Sequence, residues 1–278
     1  MFVRSFAASL FAVVLIASGA AAQANGPSAP ERLDIADMTW VELRQAIEQG
    51  YTTVIVPSGG IEENGPHMVL GKHDQIVRRT SHDIAKALGN TLVAPVISFV
   101  PEGDPGTGLM QFPGTIGVPE EVFAGVLESV ARSLRASGFK NICLIADHGG
   151  SVGPQAEVAS RLTRDWAADG VRVFDVSDYY GSIAAQNDLL KSQGETSASI
   201  GEHAGIVDTS ELMAINPKGV DLSRVNEASP FAVSGVIGNP KRASAERGQA
   251  LLAIKVEKAV KQIKALILQP AANAYEGR

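Results

Sequence analysis

Three short stretches of the sequence place acidic residues and histidines beside glycines. In chain order they are Glu62 to His67 followed by His73 and Asp74, then Asp147 to Gly150, and then Glu202 to Gly205. Imidazole and carboxylate groups are ligands for zinc, manganese and iron, and glycine lets the backbone come close to a bound ion or substrate. Any one of these histidines alone is better explained as an exposed residue or a loop cap. Because four of the five histidines fall in these stretches, the set predicts one shared site.

Two of the stretches directly follow apolar runs that have the character of buried strands. Thr53 to Val56 is β-branched and apolar and leads into the turn that carries Glu62, while Asn141 to Ala146 leads into Asp147 and His148. Ligands of open α/β sheets collect just outside the carboxyl ends of their strands. The positions of the polar residues therefore favour a functional site over two unrelated loops.

The remaining pattern alternates strands with helices. Further strands are predicted over 91–100, where Pro95 indicates an edge or a bulge, and over 171–176. Strand and helix units that alternate in this way predict parallel pairing, right-handed crossovers and helices on both faces of the sheet. We predict an α/β fold with three layers, α/β/α, around a mostly parallel central sheet, in a single domain spanning 39–278. Helices are predicted over 40–47, 74–88, 120–134, 154–168 and 244–268.

The N-terminus has the composition of a secretory signal. Arg4 precedes an apolar run from Phe6 to Ala22, and small residues at Ala22 and Ala24 suit a signal peptidase. We predict a signal peptide over 1–24, a surface arm over 25–38, and a periplasmic or secreted mature protein. The alternative is an uncleaved membrane anchor, but the run is short for a span of about 20 residues.

Composition limits the classes of partner. The 278-residue chain is 45% hydrophobic and 19% charged, which suits a globular protein with a sizeable core. Its formal net charge of −6 argues against nucleic acid or an anionic membrane surface as a partner and leaves a small-molecule substrate as the default. Cys143 is the single cysteine, so an intrachain disulfide is excluded, and its apolar neighbours predict a buried thiol with a packing role.

Four ordered motifs resemble the creatininase family of amidohydrolases. Pro57 to His67 fits the frame Pro-x-Gly-Ser-x-Glu-Gln-His-Gly-Pro-His, and the family's Phe-Pro-Gly-Thr-Ile segment is present at 112–116. The family's His-Gly-Gly-Asn appears as 148–151, and its His-Ala-Gly-x-x-Glu-Thr-Ser appears as 203–210. The resemblance covers 57 to about 217 and implies a creatininase-like fold, a hydrolase that acts on an amide-like bond, and assembly into a homo-oligomer.

The resemblance also implies a ligand set. Family members hold a divalent pair, usually zinc or manganese, that activates water for hydrolysis. Glu62 and His148 match ligand positions, whereas Asn64 stands where the family has histidine and His73 stands where it has aspartate, with Asp74 beside it. Glu62, His73 and His148 give the ligand count of a catalytic mononuclear zinc site. We expect one divalent ion, zinc or manganese with iron as a further option. A second ion, for which Asp74 and Asp208 could supply ligands, is left open.

The expected reaction is hydrolysis of a cyclic or linear, non-peptide amide of a small molecule by metal-activated water. By resemblance, His203 with Glu202 beside it is the candidate that delivers a proton to the leaving group. A lactone hydrolase on the same site and a non-catalytic binding or scaffold protein with a degraded metal site remain alternatives. A serine hydrolase using Ser58 or Ser151 is disfavoured because neither serine lies in a Gly-x-Ser-x-Gly elbow.

Overall fold

The computed structural model describes residues 32–269. The predicted signal peptide and most of the predicted arm therefore lie outside the described residues. The part of the arm that is described, from 32 onward, packs on the domain, because Asp34 forms a parallel bridge with Val93 and the Leu33 carbonyl accepts from the Val93 N–H (2.9 Å).

Four parallel strands form the central sheet. They are β1 (Thr53–Ser58), β2 (Thr91–Val93), β3 (Asn141–Ala146) and β4 (Arg172–Asp175), arranged in the order β2-β1-β3-β4. β1 and β3 are the central pair and run in register along their whole length, from Thr53 opposite Asn141 to Ser58 opposite Ala146. Their carboxyl ends therefore lie side by side, as the sequence pattern predicted.

Ten α-helices are defined in the described part of the chain, and the longer ones cover both faces of the sheet. Their bounds are α1 (Trp40–Glu48), α2 (Lys72–Leu88), α3 (Glu120–Ser137), α4 (Val152–Asp165), α5 (Ser177–Gly181), α6 (Ile183–Ser192), α7 (Ser197–Ile200), α8 (Ile206–Ile215), α9 (Phe231–Ser234) and α10 (Ala245–Leu268). α1 begins at a capping box, since the Thr39 side chain accepts from Glu42 N while the Glu42 carboxylate accepts from Thr39 N.

Alternate side chains of the strands enter two separate hydrophobic layers. Val54 and Val56 of β1 pack in a cluster with residues of α1, α3 and α4, whereas Ile55 packs in a second cluster with residues of α2, α5 and α10. This alternation follows from the two-residue side-chain period of a strand that is buried on both faces. The predicted three-layer α/β/α fold is confirmed, and Cys143 is buried in the second cluster.

One strand is shorter than the sequence predicted. The strand predicted over 91–100 is regular only over Thr91–Val93, and it lies at the edge of the sheet as Pro95 indicated. Regular pairing stops before Pro95, because proline has no N–H to donate to the neighbouring strand. Beyond Pro95, Ile97 forms a single parallel bridge with Ser58. Among residues 32–269, no helix combines the length and the apolar character needed to cross a membrane.

Candidate metal centre

The candidate ligands meet beyond the carboxyl ends of the two central strands. Glu62 lies in the turn after β1, and His148 lies in the turn after β3. His73 lies in the first turn of α2. The start of α2 packs so closely against Gly59 that a Cβ at this position would collide with Asp74. The glycine therefore lets the helix deliver His73 to the sheet edge.

His73 is held between two carboxylates. Its Nδ1 donates to Asp147 Oδ2 and its Nε2 lies against Glu62 Oε1, each at 2.7 Å. Burial and the charge of Lys72 lower the pKa of His73, but the two carboxylates outweigh them and the net shift is upward. An acceptor on Nδ1 fixes the ring so that Nε2 is presented to the centre, which is the usual arrangement of a metal-binding histidine.

His148 faces two carboxylates through one ring nitrogen. Its Nε2 lies 3.2 Å from Glu62 Oε2 and 3.0 Å from Glu102 Oε2. Burial lowers the pKa of His148, but the neighbouring carboxylates overcome this and raise it to about 9. One ligand atom from each of Glu62, His73 and His148 lies within 4.8 Å of the others.

Glu102 is a member of this group that the sequence analysis missed. It lies at the start of the long segment between β2 and α3, and its side chain is fully buried against His148. Burial raises the pKa of this carboxyl. The sequence offered only a weak signal, a glutamate between Pro101 and Gly103 in a loop rich in glycine and proline.

Lys72 occupies the opposite side of Glu62. Its ammonium lies 3.3 Å from Glu62 Oε1 and 3.2 Å from Asp208 Oδ1, and the side chain is 1% exposed. Burial opposes its charge, but the carboxylates of Asp208 and Glu62 raise the pKa of Lys72 above its ordinary value. Asp208, which the sequence left open as a ligand for a second ion, is thus paired with an ammonium group, and its other oxygen accepts from the Ala204 N–H (2.8 Å).

A second buried lysine, Lys255, binds the carboxylate that holds His73. Lys255 of α10 donates to Asp147 Oδ1 and Glu211 Oε2, both at 2.9 Å. The Tyr179 hydroxyl also donates to Asp147 Oδ1 (2.8 Å). Asp147 therefore supports His73.

The predicted catalytic pair, Glu202 and His203, lines the same cavity as the candidate ligands. The Nε2 of half-buried His203 lies 3.0 Å from the Glu63 backbone carbonyl and 3.1 Å from the Glu63 carboxylate, while Nδ1 lies 3.9 Å from Glu62 Oε1. The oxygens on Nε2 are acceptors, so this nitrogen carries a proton and Nδ1 is turned toward the centre. Glu202 is exposed and lines the cavity beside it.

The structure separates Asp74 from the candidate ligands, although the sequence offered it as the neighbour of His73. One of its oxygens accepts from the Gly60 N–H (3.0 Å) and the other accepts from the Ser98 hydroxyl (2.5 Å). Successive helical residues point about 100° apart, so the turn that aims His73 at the centre aims Asp74 at the loop after β1. Its position gives it a role in holding that loop.

Asn64 stabilises the turn in which it lies. Its side chain is fully buried, and its amide nitrogen donates to the backbone carbonyl of Glu62 (2.9 Å) and, at 3.3 Å, to those of Val69 and Leu70. Donation to three carbonyls fixes the path of the chain between Glu62 and α2. This residue replaces the family's histidine and uses its nitrogen for the backbone.

The remaining two histidines lie apart from the candidate ligands. His67 is buried with its Nε2 3.0 Å from the Thr209 hydroxyl, and burial lowers its pKa to about 4. His82 pairs with Asp34 at 2.8 Å, on the outer side of α2. Sequence clustering therefore brought His67 into the predicted site, but the fold gives it a packing role.

The ligands form one wall of a cavity of about 160 Å³. Other polar and apolar side chains also line this cavity, including Tyr180, Gln186 and Ile183. Gln186 is fully buried, and its amide nitrogen donates to the Glu211 carboxylate (2.6 Å). A cavity of this size, with charged groups at its base, suits a small polar molecule.

Several buried carboxylate oxygens in this group lack a hydrogen-bond donor in the described part of the chain, which indicates whether the residues suit a cation. Glu62 Oε2 and both oxygens of Glu102 are buried and lack a well-aligned hydrogen-bond donor among the residues that the structure describes, although His148 Nε2 lies 3.2 Å from Glu62 Oε2 and 3.0 Å from Glu102 Oε2. Buried carboxylate oxygens without donors are costly unless a positive charge compensates them. The donor set of carboxylate oxygen and imidazole nitrogen, with no sulfur, therefore fits a divalent ion such as zinc or manganese.

Comparison with known proteins gives consistent matches over most of the chain. The family model described as creatinine amidohydrolase matches residues 36–263. The chain is 24% identical to the creatinine amidohydrolase of Pseudomonas putida over 243 residues, covering 80% of this chain and 93% of that protein. It is 26% identical to the mycofactocin precursor peptide peptidase of Mycobacterium tuberculosis over 231 residues, covering 78% and 87%.

Solved structures share the fold. A creatininase described as the Mn form and a mutant creatininase described as Zn-Zn type each superpose with a TM-score of 0.69 at 22% identity. Each match covers 86% of this chain and 100% of the other. The three-layer architecture is therefore shared with these proteins along nearly their whole length.

Proposed function

The chain belongs to the creatininase family of amidohydrolases, and from this premise we propose that it hydrolyses a non-peptide C–N bond of a small amide. The substrate is a cyclic or linear amide that enters the cavity beside Glu62, His73 and His148. The observation that carries the proposal is the convergence of these three ligand atoms, within 4.8 Å of one another, on the wall of that cavity.

The cofactor in this proposal is one divalent ion, zinc or manganese, held by Glu62, His73 and His148. Such an ion supplies a Lewis acid that polarises a carbonyl group and makes water reactive near neutral pH. Asp147 holds the His73 ring in the orientation that presents Nε2, and Lys255 and Tyr179 in turn hold Asp147. Two structurally similar creatininases are described as the Mn form and as Zn-Zn type, which supports zinc or manganese as the metal here.

His203 moves the proton in this reaction. Its Nε2 proton is held by the Glu63 carbonyl (3.0 Å), which leaves Nδ1 free to accept a proton near Glu62 and to deliver it to the leaving nitrogen. Glu202 is exposed, lines the same cavity beside His203 and is the second residue of the proposed proton-transfer pair.

Metal analysis and a substrate panel test the proposal. Purified protein is stripped with a chelator, reloaded with zinc or manganese, and assayed on cyclic amides, linear amides and short peptides, with lactones as the arm for the alternative chemistry. We expect amide hydrolysis that requires the metal and that falls at least 10³-fold in Glu62→Gln and in His148→Ala. Less than about a tenth of an ion per chain in the reloaded protein would leave a binding or scaffold role instead.

We further propose that the mature protein acts in the periplasm or outside the cell as a homo-oligomer. The signal-like composition of residues 1–24 supports the location, and the resemblance to the family supports the assembly. Sequencing the N-terminus of protein recovered from the periplasm checks cleavage near Ala24, and light scattering checks the oligomer. An intact Met1 or a monomer at working concentration would overturn the respective part.

A further inference from the structure

Glu102 is buried at a position that neighbouring glycines keep open for it. A Cβ on Gly60 would come within 3.0 Å of Glu102 Oε1, and a Cβ on Gly117 would come within 2.9 Å of Glu102 Cβ. A Cβ on Gly150, two residues after His148, would collide with the carbonyl oxygen of Pro101. Three separate segments therefore leave room for one carboxylate at this place.

The base of the loop that carries Glu102 is fixed by backbone pairing. Val100 forms a parallel bridge with Gly117, and the Val118 N–H donates to the Val100 carbonyl (3.1 Å). This pairing fixes the backbone two residues before Glu102.

Glu102 shares its nearest positive charge, the His148 imidazole, with a second buried carboxylate, Glu62. Its two oxygens and Glu62 Oε2 have no aligned donor in residues 32–269, and His148 Nε2 is the one cationic group that lies close to both carboxylates. Two of these buried acceptor atoms, Glu62 Oε2 and Glu102 Oε2, lie within 3.2 Å of the same imidazole nitrogen, and buried acceptors without donors call for a compensating group such as a bound ion. On the other side of Glu62, the Lys72 ammonium already fills that requirement.

We infer that Glu102 is a ligand of the divalent ion, so that the centre has four protein ligands: Glu62, His73, Glu102 and His148. This inference rests on the proposed metal-dependent function. A second carboxylate neutralises the double charge of the ion together with Glu62.

The test compares two carboxylates that differ in place but undergo the same chemical change. Glu102→Gln removes the inferred ligand, and Asp74→Asn is the matched control, because its carboxylate accepts from Gly60 and Ser98. Zinc affinity of the full-length protein is measured by competition with a chromogenic chelator. We expect Glu102→Gln to weaken zinc binding at least tenfold and Asp74→Asn to change it less than threefold.

A spectroscopic measurement separates a ligand from a residue that only orients His148. Cobalt(II) is loaded in place of zinc, and its visible absorption, which reports the number and type of ligands, is recorded for both variants. We expect Glu102→Gln to change the band positions and intensity while Asp74→Asn keeps the wild-type spectrum. Glu102→Asp retains the carboxylate and serves as the second variant if the glutamine variant misfolds; it should keep measurable zinc affinity.

The outcomes distinguish this inference from the proposed function. Wild-type protein that binds no ion overturns the metal-dependent function and the inference with it. Wild-type protein that binds one ion, with equal affinity in Glu102→Gln, overturns only the role of Glu102. Weaker binding with an unchanged cobalt spectrum also overturns it, because Glu102 would then act through His148.

Discussion

The two oxygens of Glu62 lie in opposite electrostatic surroundings. On the Lys72 side, Oε1 lies 2.7 Å from His73 Nε2 and 3.3 Å from the Lys72 ammonium, which also neutralises Asp208. On the Glu102 side, Oε2 shares the single His148 nitrogen with a second buried carboxylate. On the Lys72 side an ammonium group and an imidazole contact Glu62 Oε1, whereas on the other side two carboxylates share one imidazole.

The difference shows how a single carboxylate can serve structure and binding at once. The Lys72 side is complete in the chain itself, so removal of its cation should cost folding stability. The Glu102 side is incomplete until an ion binds, so changes there should alter metal affinity more than the stability of the metal-free protein. The four predictions below test this contrast, from the largest expected change to the smallest.

The largest effect is expected on the Lys72 side. Lys72→Met leaves Asp208 and Glu62 buried without their ammonium partner, and we expect the free energy of unfolding to fall by about 3–5 kcal/mol. Urea unfolding in the presence of a chelator measures it. Lys86→Met, an exposed lysine on the same helix, is the control and should change stability by less than about 0.5 kcal/mol. A similar small loss in Lys72→Met would mean that the two sides do not differ.

Metal binding should stabilise the protein through the Glu102 side. At a free ion concentration 100 times the dissociation constant, the free energy of unfolding should rise by about 2.7 kcal/mol. At the same ion concentration, the free energy of unfolding of Glu102→Gln, whose dissociation constant is expected to be ten times larger, should rise by about 1.4 kcal/mol. Unfolding curves with and without zinc give both numbers. Equal gains in the two proteins would contradict a role for Glu102 in holding the ion.

Asn64→His tests whether an added imidazole opens the site to a second ion. The amide of Asn64 donates to three backbone carbonyls that an imidazole cannot all reach, so we expect a loss of about 1–3 kcal/mol in stability. The ion count, measured by elemental analysis, should stay at one because Lys72 remains between Glu62 and Asp208. Two ions per chain in this variant would show that Asn64, rather than Lys72, excludes the second.

The smallest change is expected for Glu102→Gln in the metal-free protein. Because burial already disfavours the charged form of this carboxyl, a neutral amide should alter the free energy of unfolding by less than about 1 kcal/mol. Chelator-treated protein and urea unfolding provide the measurement. A loss comparable to that of Lys72→Met would place Glu102 among the residues that hold the fold.

The fold could be predicted from sequence because its elements carry local signals. The central strands are apolar runs with glycines in the turns that follow them, and the parallel arrangement follows from their alternation with helices; both expectations are confirmed. Glu62 and His148 could also be chosen as candidates, since each lies in the turn after one of these strands. The edge strand was overestimated because its bridge at Ile97 lies past Pro95, where regular pairing has ended.

The rest of the site depends on facts that no local pattern contains. Whether His73 or Asp74 faces the centre is decided by the rotation of α2 about its axis, which the sequence does not fix. Lysine is a surface residue in most proteins, so nothing marked Lys72 as buried. Glu102 reaches His148 only because the loop after β2 returns across the end of the sheet, a contact between distant parts of the chain.

The close packing around Glu102 gives a way to recognise the same centre in other sequences. Gly60, Gly117 and Gly150 each touch the space that Pro101 and Glu102 fill, so a larger residue at any of the three would displace the carboxylate. Lineages that keep the glutamate should keep all three glycines, while those that lost it are free to vary them. Co-occurrence of these four positions across genomes would therefore trace the inheritance of the four-ligand centre without a single protein being purified.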